Sequence, residues 1–142
     1  MPDIQHAIQI ECRPEAVYPL VSTGTGLAQW WAEDVTEADG AVTLGFFNRS
    51  TVYRLRREAN KPPLEVSWLC ETGQEWSGTH IRLVLESRGS GTFVRFSHSG
   101  WQSATDYFIS CNTTWGELMF RLKAAAEGKS HGPLFATAGM AY

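Results

Sequence analysis

Residues 35–98 alternate apolar and polar side chains in short runs, and most runs close on glycine or proline. Period-two alternation belongs to strands that bury one face and wet the other, so this stretch must build a sheet, not a helical bundle. Residues 41–47 put Val42, Leu44 and Phe46 on one parity. Residues 51–57 set Tyr53 and Leu55 against Arg54 and Arg56. Leu64, Val66, Trp68 and Cys70 then share a face, with Glu65 and Ser67 opposite. Ile81, Leu83 and Leu85 form the next apolar row, and Val94, Phe96 and His98 the last. The breaks fall at Lys61-Pro62-Pro63, at Gly73 and Gly78, and at Arg88-Gly89-Ser90-Gly91. Turns this short join neighbouring strands antiparallel.

A sheet with one apolar face needs a cover. Residues 104–127 contain no proline, and Phe108, Cys111, Trp115, Leu118, Met119 and Leu122 recur at steps of three and four. That spacing predicts one long amphipathic helix. Asp106 near its start and Arg121 and Lys123 toward its end suit the helix dipole, and Gly128 suits the position just past its end. At the other end of the chain, residues 4–12 alternate as a further strand, with Ile4, His6, Ile8, Ile10 and Cys12 on one parity. Pro14 and Glu15 open a short helix to about Ser22 that Pro19 should kink. Gly24 and Gly26 interrupt the chain, and residues 25–32 form a second short helix. The expected fold is α+β: a curved antiparallel sheet of about seven strands on a long C-terminal helix, with two short helices after the first strand. Residues 1–128 make a single domain. Residues 129–142 are a tail without periodic signal, in which Pro133-Leu134-Phe135 dock locally.

Composition excludes several functions. Twelve Lys and Arg against fifteen Asp and Glu give a net charge of −3, the wrong sign for a nucleic-acid binder that works by phosphate neutralisation. No apolar run approaches the roughly 18 residues of a membrane span. The first residues carry neither a basic nor an apolar leader, and Cys12, Cys70 and Cys111 lie far apart, so the expected location is a reducing cytoplasm. The four His show no ligand spacing with one another or with the Cys, and no nucleophile elbow is present, so neither metal nor cofactor is expected.

Specific residues carry a resemblance. Ile8-Gln9-Ile10 leads into Pro14-Glu15-Ala16-Val17, and Leu27-Ala28-Gln29-Trp30-Trp31 follows. Gly91-Thr92-Phe93-Val94 runs on to His98-Ser99-Gly100-Trp101, and Trp115-Gly116-Glu117-Leu118 lies in the last helix. Over about residues 4–128 the chain resembles the START-like helix-grip (SRPBCC) superfamily, in its branch of homologues of the heat-shock-chaperone ATPase activator. The resemblance implies a sheet gripping the long helix and a cavity between them for an apolar ligand. Lipid carriers, hormone receptors and polyketide cyclases share this fold, so fold alone does not assign function.

Six Trp, four Tyr and seven Phe are the strongest local signal. They either fill a solid core or wall a pocket. The pocket reading assigns ligand contact to Trp30, Phe46, Tyr53, Trp68, Trp76, Phe96, His98, Trp101, Tyr107, Trp115 and Met119. Trp30 and Trp31 point about 100° apart on a helix, which buries one and turns the other toward solvent. His98 on an apolar parity either orients a ligand or holds the turn into Gly100-Trp101 through a satisfied hydrogen bond. Arg54 and Arg56 read as a solvated outer face balanced by Glu58 and Glu65. The leading reading is a binding protein for a small apolar or aromatic molecule. One alternative is a cyclase- or hydratase-like enzyme with His98 and Tyr53 or Tyr107 as acid–base groups. The other is a chaperone-ATPase-activator-like interaction module. Open strand edges, the Trp31 region and the uncharged residues 133–142 are places for a homodimer contact.

Overall fold

The computed structural model describes residues 2–140. Seven strands form one antiparallel sheet in the order β1-β7-β6-β5-β4-β3-β2. They are β1 (Ile4–Ile10), β2 (Asp34–Ala38), β3 (Ala41–Phe46), β4 (Thr51–Lys61), β5 (Glu65–Cys70), β6 (His80–Arg88) and β7 (Gly91–Ser99). Helices α1 (Pro14–Ser22) and α2 (Gly24–Leu27) follow β1, and α3 (Asp106–Ala126) closes the order. This is the helix-grip architecture expected from the alternation and the long helix.

The parity rows became faces. Val66, Trp68 and Cys70 on β5, Ile81, Leu83 and Leu85 on β6, and Val94, Phe96 and His98 on β7 are all buried. Opposite them on α3, Cys111, Trp115, Leu118, Met119 and Leu122 form the buried stripe. Thr105 caps α3 by accepting from the Phe108 N–H at 3.2 Å, which satisfies one of the open donors of the first turn. Helix α3 also covers the β1 edge. Lys123 Nζ donates to the Gln9 carbonyl at 2.9 Å, and the Glu11 N–H donates to Glu127 Oε2 at 2.8 Å. An open edge would otherwise template pairing with another chain.

Three expectations need correction. Leu64 precedes β5 and is 51% exposed, because the turn after Lys61 delays the strand until Glu65. Helix α1 spans Pro14–Ser22 with Pro19 inside it, the expected extent, whereas α2 ends at Leu27, short of residue 32. Both short helices are pinned at one close approach: a Cβ on Gly26 would stand 2.0 Å from the Pro19 carbonyl oxygen. Trp31 does not reach solvent; it is 3% exposed, because the chain after α2 folds both Trp30 and Trp31 inward. The tail docks locally as expected: Leu134 and Phe135 pack on their own chain. Leu134 is fully buried, its N–H donates to the Trp30 carbonyl, and the Phe135 N–H donates to the Trp31 carbonyl. Arg121 Nη1 holds the approach by donating to the Gly132 carbonyl at 3.0 Å. Residues 1, 141 and 142, the ends of the expected domain and tail, lie outside the described residues.

Candidate functional site

Between α3 and the β3–β4 end of the sheet lies a cavity of about 240 Å³. Phe46 and Tyr53 come from the sheet, Trp76 from the loop before β6, and Trp31 from the segment after α2. Tyr107, Cys111, Trp115 and Leu118 come from α3, and Phe135 and Met140 from the tail. The rings brace one another. Tyr53 stacks on Trp76 with centroids 4.1 Å apart and planes 5° off parallel, Trp31 meets Trp115 at 4.9 Å, and Phe135 stands edge-on to Phe46 at 5.0 Å. Such pairs add about 0.5–1.5 kcal/mol each beyond area burial, so the wall is stiff.

None of the described residues lining this space is charged. Its polar groups are the hydroxyls of Thr51, Ser110 and Thr114, the Cys111 thiol, the Trp76 indole N–H, which is buried and makes no hydrogen bond among the described residues, and the phenols of Tyr53 and Tyr107, which hydrogen-bond to each other. Burial raises both phenols above the ordinary tyrosine value. In Tyr53 the bond from Tyr107 offsets part of that rise, while in Tyr107 the bond adds to it. Burial also raises the Cys111 thiol. Every ionisable group on this wall is therefore neutral at pH 7.

Of the residues expected to contact a ligand, Phe46, Tyr53, Trp76, Tyr107 and Trp115 stand on the wall. The other six do not. Trp30 is turned away and donates from Nε1 to the Leu20 carbonyl at 2.8 Å. Trp68 donates to the Val21 carbonyl at 3.2 Å, with the Arg57 guanidinium 4.8 Å above its ring. Phe96 packs behind Trp115 at 4.4 Å, and Trp101 sits against His98 at 4.8 Å and Phe108 at 5.1 Å. Met119 is buried one helical turn from Trp115. Of the six, Phe96 packs directly against a wall residue, Trp115, without itself lining the cavity.

His98 is the most constrained of the six. Trp115 Nε1 donates to His98 Nδ1 at 3.1 Å. An indole nitrogen only donates, so Nδ1 must be unprotonated and the ring proton sits on Nε2. Nε2–H then donates to Thr79 Oγ1 at 2.8 Å, and the Thr79 hydroxyl donates to the Trp76 carbonyl at 2.6 Å. Burial, aided by the nearby His80, pushes the pKa of His98 down to about 3. The imidazole is a neutral strut that ties β7 to α3 and to the loop carrying Trp76, not an acid–base group facing the cavity. Cys70, 3.9 Å from Nε2, belongs to the same buried cluster, and burial pushes its thiol up to about 12.

Sequence reasoning missed the apolar Trp31, Phe47, Leu118, Phe135 and Met140 on the wall, and with them Thr51, Ser110, Cys111 and Thr114. The 100° divergence of Trp30 and Trp31 was a usable signal, but it pointed to the wrong partner. Phe135 and Met140 had no periodic signal at all. The basic strand also resolves differently from expectation. Arg54 and Arg56 both pair with Glu71, at 2.9 and 3.0 Å, while Glu65 pairs with Arg82 and Glu58 with His80. The register brings Glu71 of the loop after β5 beside β4, which alternation along one strand does not reveal. Among the described residues no group of three or more His, Cys, Asp or Glu is placed to hold a metal ion, and no helix is long and apolar enough to cross a membrane.

No family model and no curated protein matches the chain by sequence. Solved structures do match. The Aha1 protein of Colwellia psychrerythraea, solved in solution as a dimer, is 33% identical over 91% of this chain and 98% of that one, with a TM-score of 0.82. The chain belongs to the Aha1 branch of the START-like helix-grip superfamily. Two more distant structures share the fold alone. A Mesorhizobium loti protein is 14% identical over 91% of this chain and 99% of that one, with a TM-score of 0.78. CalU16 of Micromonospora echinospora is 12% identical over 89% and 75%, with a TM-score of 0.69.

Proposed function

We propose that this Aha1-branch protein binds a small apolar or aromatic molecule in the cavity between sheet and α3. The observation that carries the reading is an uncharged wall of stacked aromatic rings around about 240 Å³ of space. Sites for small molecules are mostly apolar with a few placed polar groups. The habit of the superfamily supports the same reading. The volume suits one or two fused rings; an apolar cavity of roughly 150 Å³ already admits benzene. Catalysis is not part of the proposal, because His98, the acid–base candidate, is engaged at both nitrogens away from the wall. With all three cysteines free, a reducing compartment such as the cytoplasm suits the protein. The test is thermal unfolding with a panel of one- and two-ring compounds. Ligand at 100 times its Kd stabilises by about 2.7 kcal/mol. At about 2.1 cal/mol/K per residue, that raises Tm by roughly 9 °C. A panel that produces no shift rejects the reading.

A second reading rests on the Colwellia relative, a 33% identical Aha1 protein solved as a dimer. It assigns the chain a homodimeric state and an Aha1-like role in contact with a chaperone. Ile109 and Phe120, 57% and 66% exposed on the outer side of α3, are the apolar residues such contacts would cover. Light scattering of the wild type and of Phe120→Ser tests the dimer, and a chaperone pull-down tests the partner.

A further inference from the structure

The chemistry of the wall narrows the class of occupant. This inference rests on the ligand-binding reading above and goes beyond it. Among the described residues no charged side chain lines the cavity, so its wall offers no counter-ion. A charged group brought into such a space loses its hydration with nothing to replace it. The charge that acts on the wall from nearby is negative: Glu75, held by the Thr105 hydroxyl at 2.5 Å, acts on both Tyr53 and Cys111. Anions are opposed twice, by desolvation and by repulsion. A cation would need open ring faces, yet one face of Trp76 is taken by Tyr53, and Trp115 lies nearly parallel to it at 6.1 Å.

The two phenols supply the polar contact. Both line the cavity, and one donates to the other. That bond uses one of the two O–H groups. If Tyr53 donates, the remaining O–H is that of Tyr107, beside the Cys111 thiol, and sulfur is a weak acceptor; if Tyr107 donates, it is that of Tyr53, with no other hydrogen-bond partner among the described residues. One hydroxyl proton at this end of the cavity is therefore left for an oxygen atom of the occupant. Tyr107 is 39% exposed, so the pair also stands where a ligand enters. We propose that the cavity selects an uncharged one- or two-ring aromatic carrying a single acceptor oxygen, such as an aryl ketone or aldehyde, with that oxygen on the Tyr53–Tyr107 hydroxyl pair.

A matched series tests this by isothermal titration of the full chain: indane, 1-indanone, indane-1-carboxylate and 1-aminoindane as its ammonium form. The expected order is 1-indanone tightest, roughly three- to tenfold above indane, the span of one net hydrogen bond. The two ions bind at least about 100-fold more weakly than the ketone, on the scale of burying an unpaired charge. The double variant Tyr53→Phe/Tyr107→Phe keeps both rings and removes both hydroxyls, and the ratio of 1-indanone to indane affinity should fall to about one. If indane and 1-indanone bind alike in the wild type, or if either ion binds tightest, the inference fails while ligand binding stands. If 1-indanone keeps its advantage in the double variant, the assigned contact is wrong. If none of the four binds, the cavity reading itself falls, and this inference with it.

Discussion

Lowering the pH should unfold this protein earlier than its carboxylates alone would dictate, and His98 is the reason. In the native state His98 is neutral down to about pH 3, because burial opposes its charge and both ring nitrogens are engaged. In the unfolded chain it takes up a proton near the ordinary value of about 6.5. The native pKa is depressed, so the unfolded state binds more protons throughout the interval between the two values. Stability is therefore intact above pH 6.5 and falls as pH drops through that interval, by up to about 1.4 kcal/mol per unit. Between pH 7.5 and pH 5 the loss is about 2 kcal/mol, or roughly 7 °C in Tm for a chain of this length. Glu37, Glu65 and Glu127 are held below their ordinary 4.5 by hydrogen bonds to Arg57, Arg82 and Lys123, so their contributions fade only below that pH. The assay is urea unfolding at pH 7.5, 6.5, 5.5 and 5.0 for wild type and His98→Gln. A glutamine can still accept from Trp115 and donate to Thr79 but does not titrate. The wild type should lose stability across the series, and the variant should be close to flat over the same range. Equal slopes in the two proteins, or a His98 resonance that titrates near pH 6.5 in the folded state, would refute the argument.

Three further outcomes follow from other contacts. Gly26→Ala should destabilise by about 3 kcal/mol or more, since its Cβ meets backbone that cannot yield, 2.0 Å from Pro19 O and 2.6 Å from Leu20 Cα; chemical denaturation measures it. Leu134→Ala should lose about 2–5 kcal/mol, the range for a fully buried leucine, and a loss near zero would mean the tail is not docked in solution. A thiol reagent at pH 8 should label half-buried Cys12 before Cys70, whose pKa of about 12 leaves almost no thiolate in the folded state; mass spectrometry of the labelled peptides decides the order.

The strand faces were legible because alternation is a local property. Val66, Trp68 and Cys70, or Val94, Phe96 and His98, declare a shared face without reference to any partner. The long helix was legible for the same reason, through the step from Cys111 to Trp115 to Leu118. The wall of the cavity was only half legible. Parity says which way a side chain points, but not whether another ring stands in front of it. Phe96 and Trp115 both face inward, yet Trp115 reaches the cavity and Phe96 lies behind it. His98 was read with two roles open, and the choice fell to Trp115 and Thr79, which are 17 and 19 residues away in sequence.

The sequence by itself determined the fold class, the order of elements and the inward rows, because periodicity and turn residues act over a few neighbours. The tertiary structure decided everything that depends on depth and on distant pairing. It placed Phe135 of an unpatterned tail on the same wall as Phe46, set Trp31 rather than Trp30 at the cavity, and left the Tyr53 and Tyr107 hydroxyls bonded to each other. Those contacts join segments far apart in the chain, and no local pattern encodes which of two buried rings will be nearer to empty space.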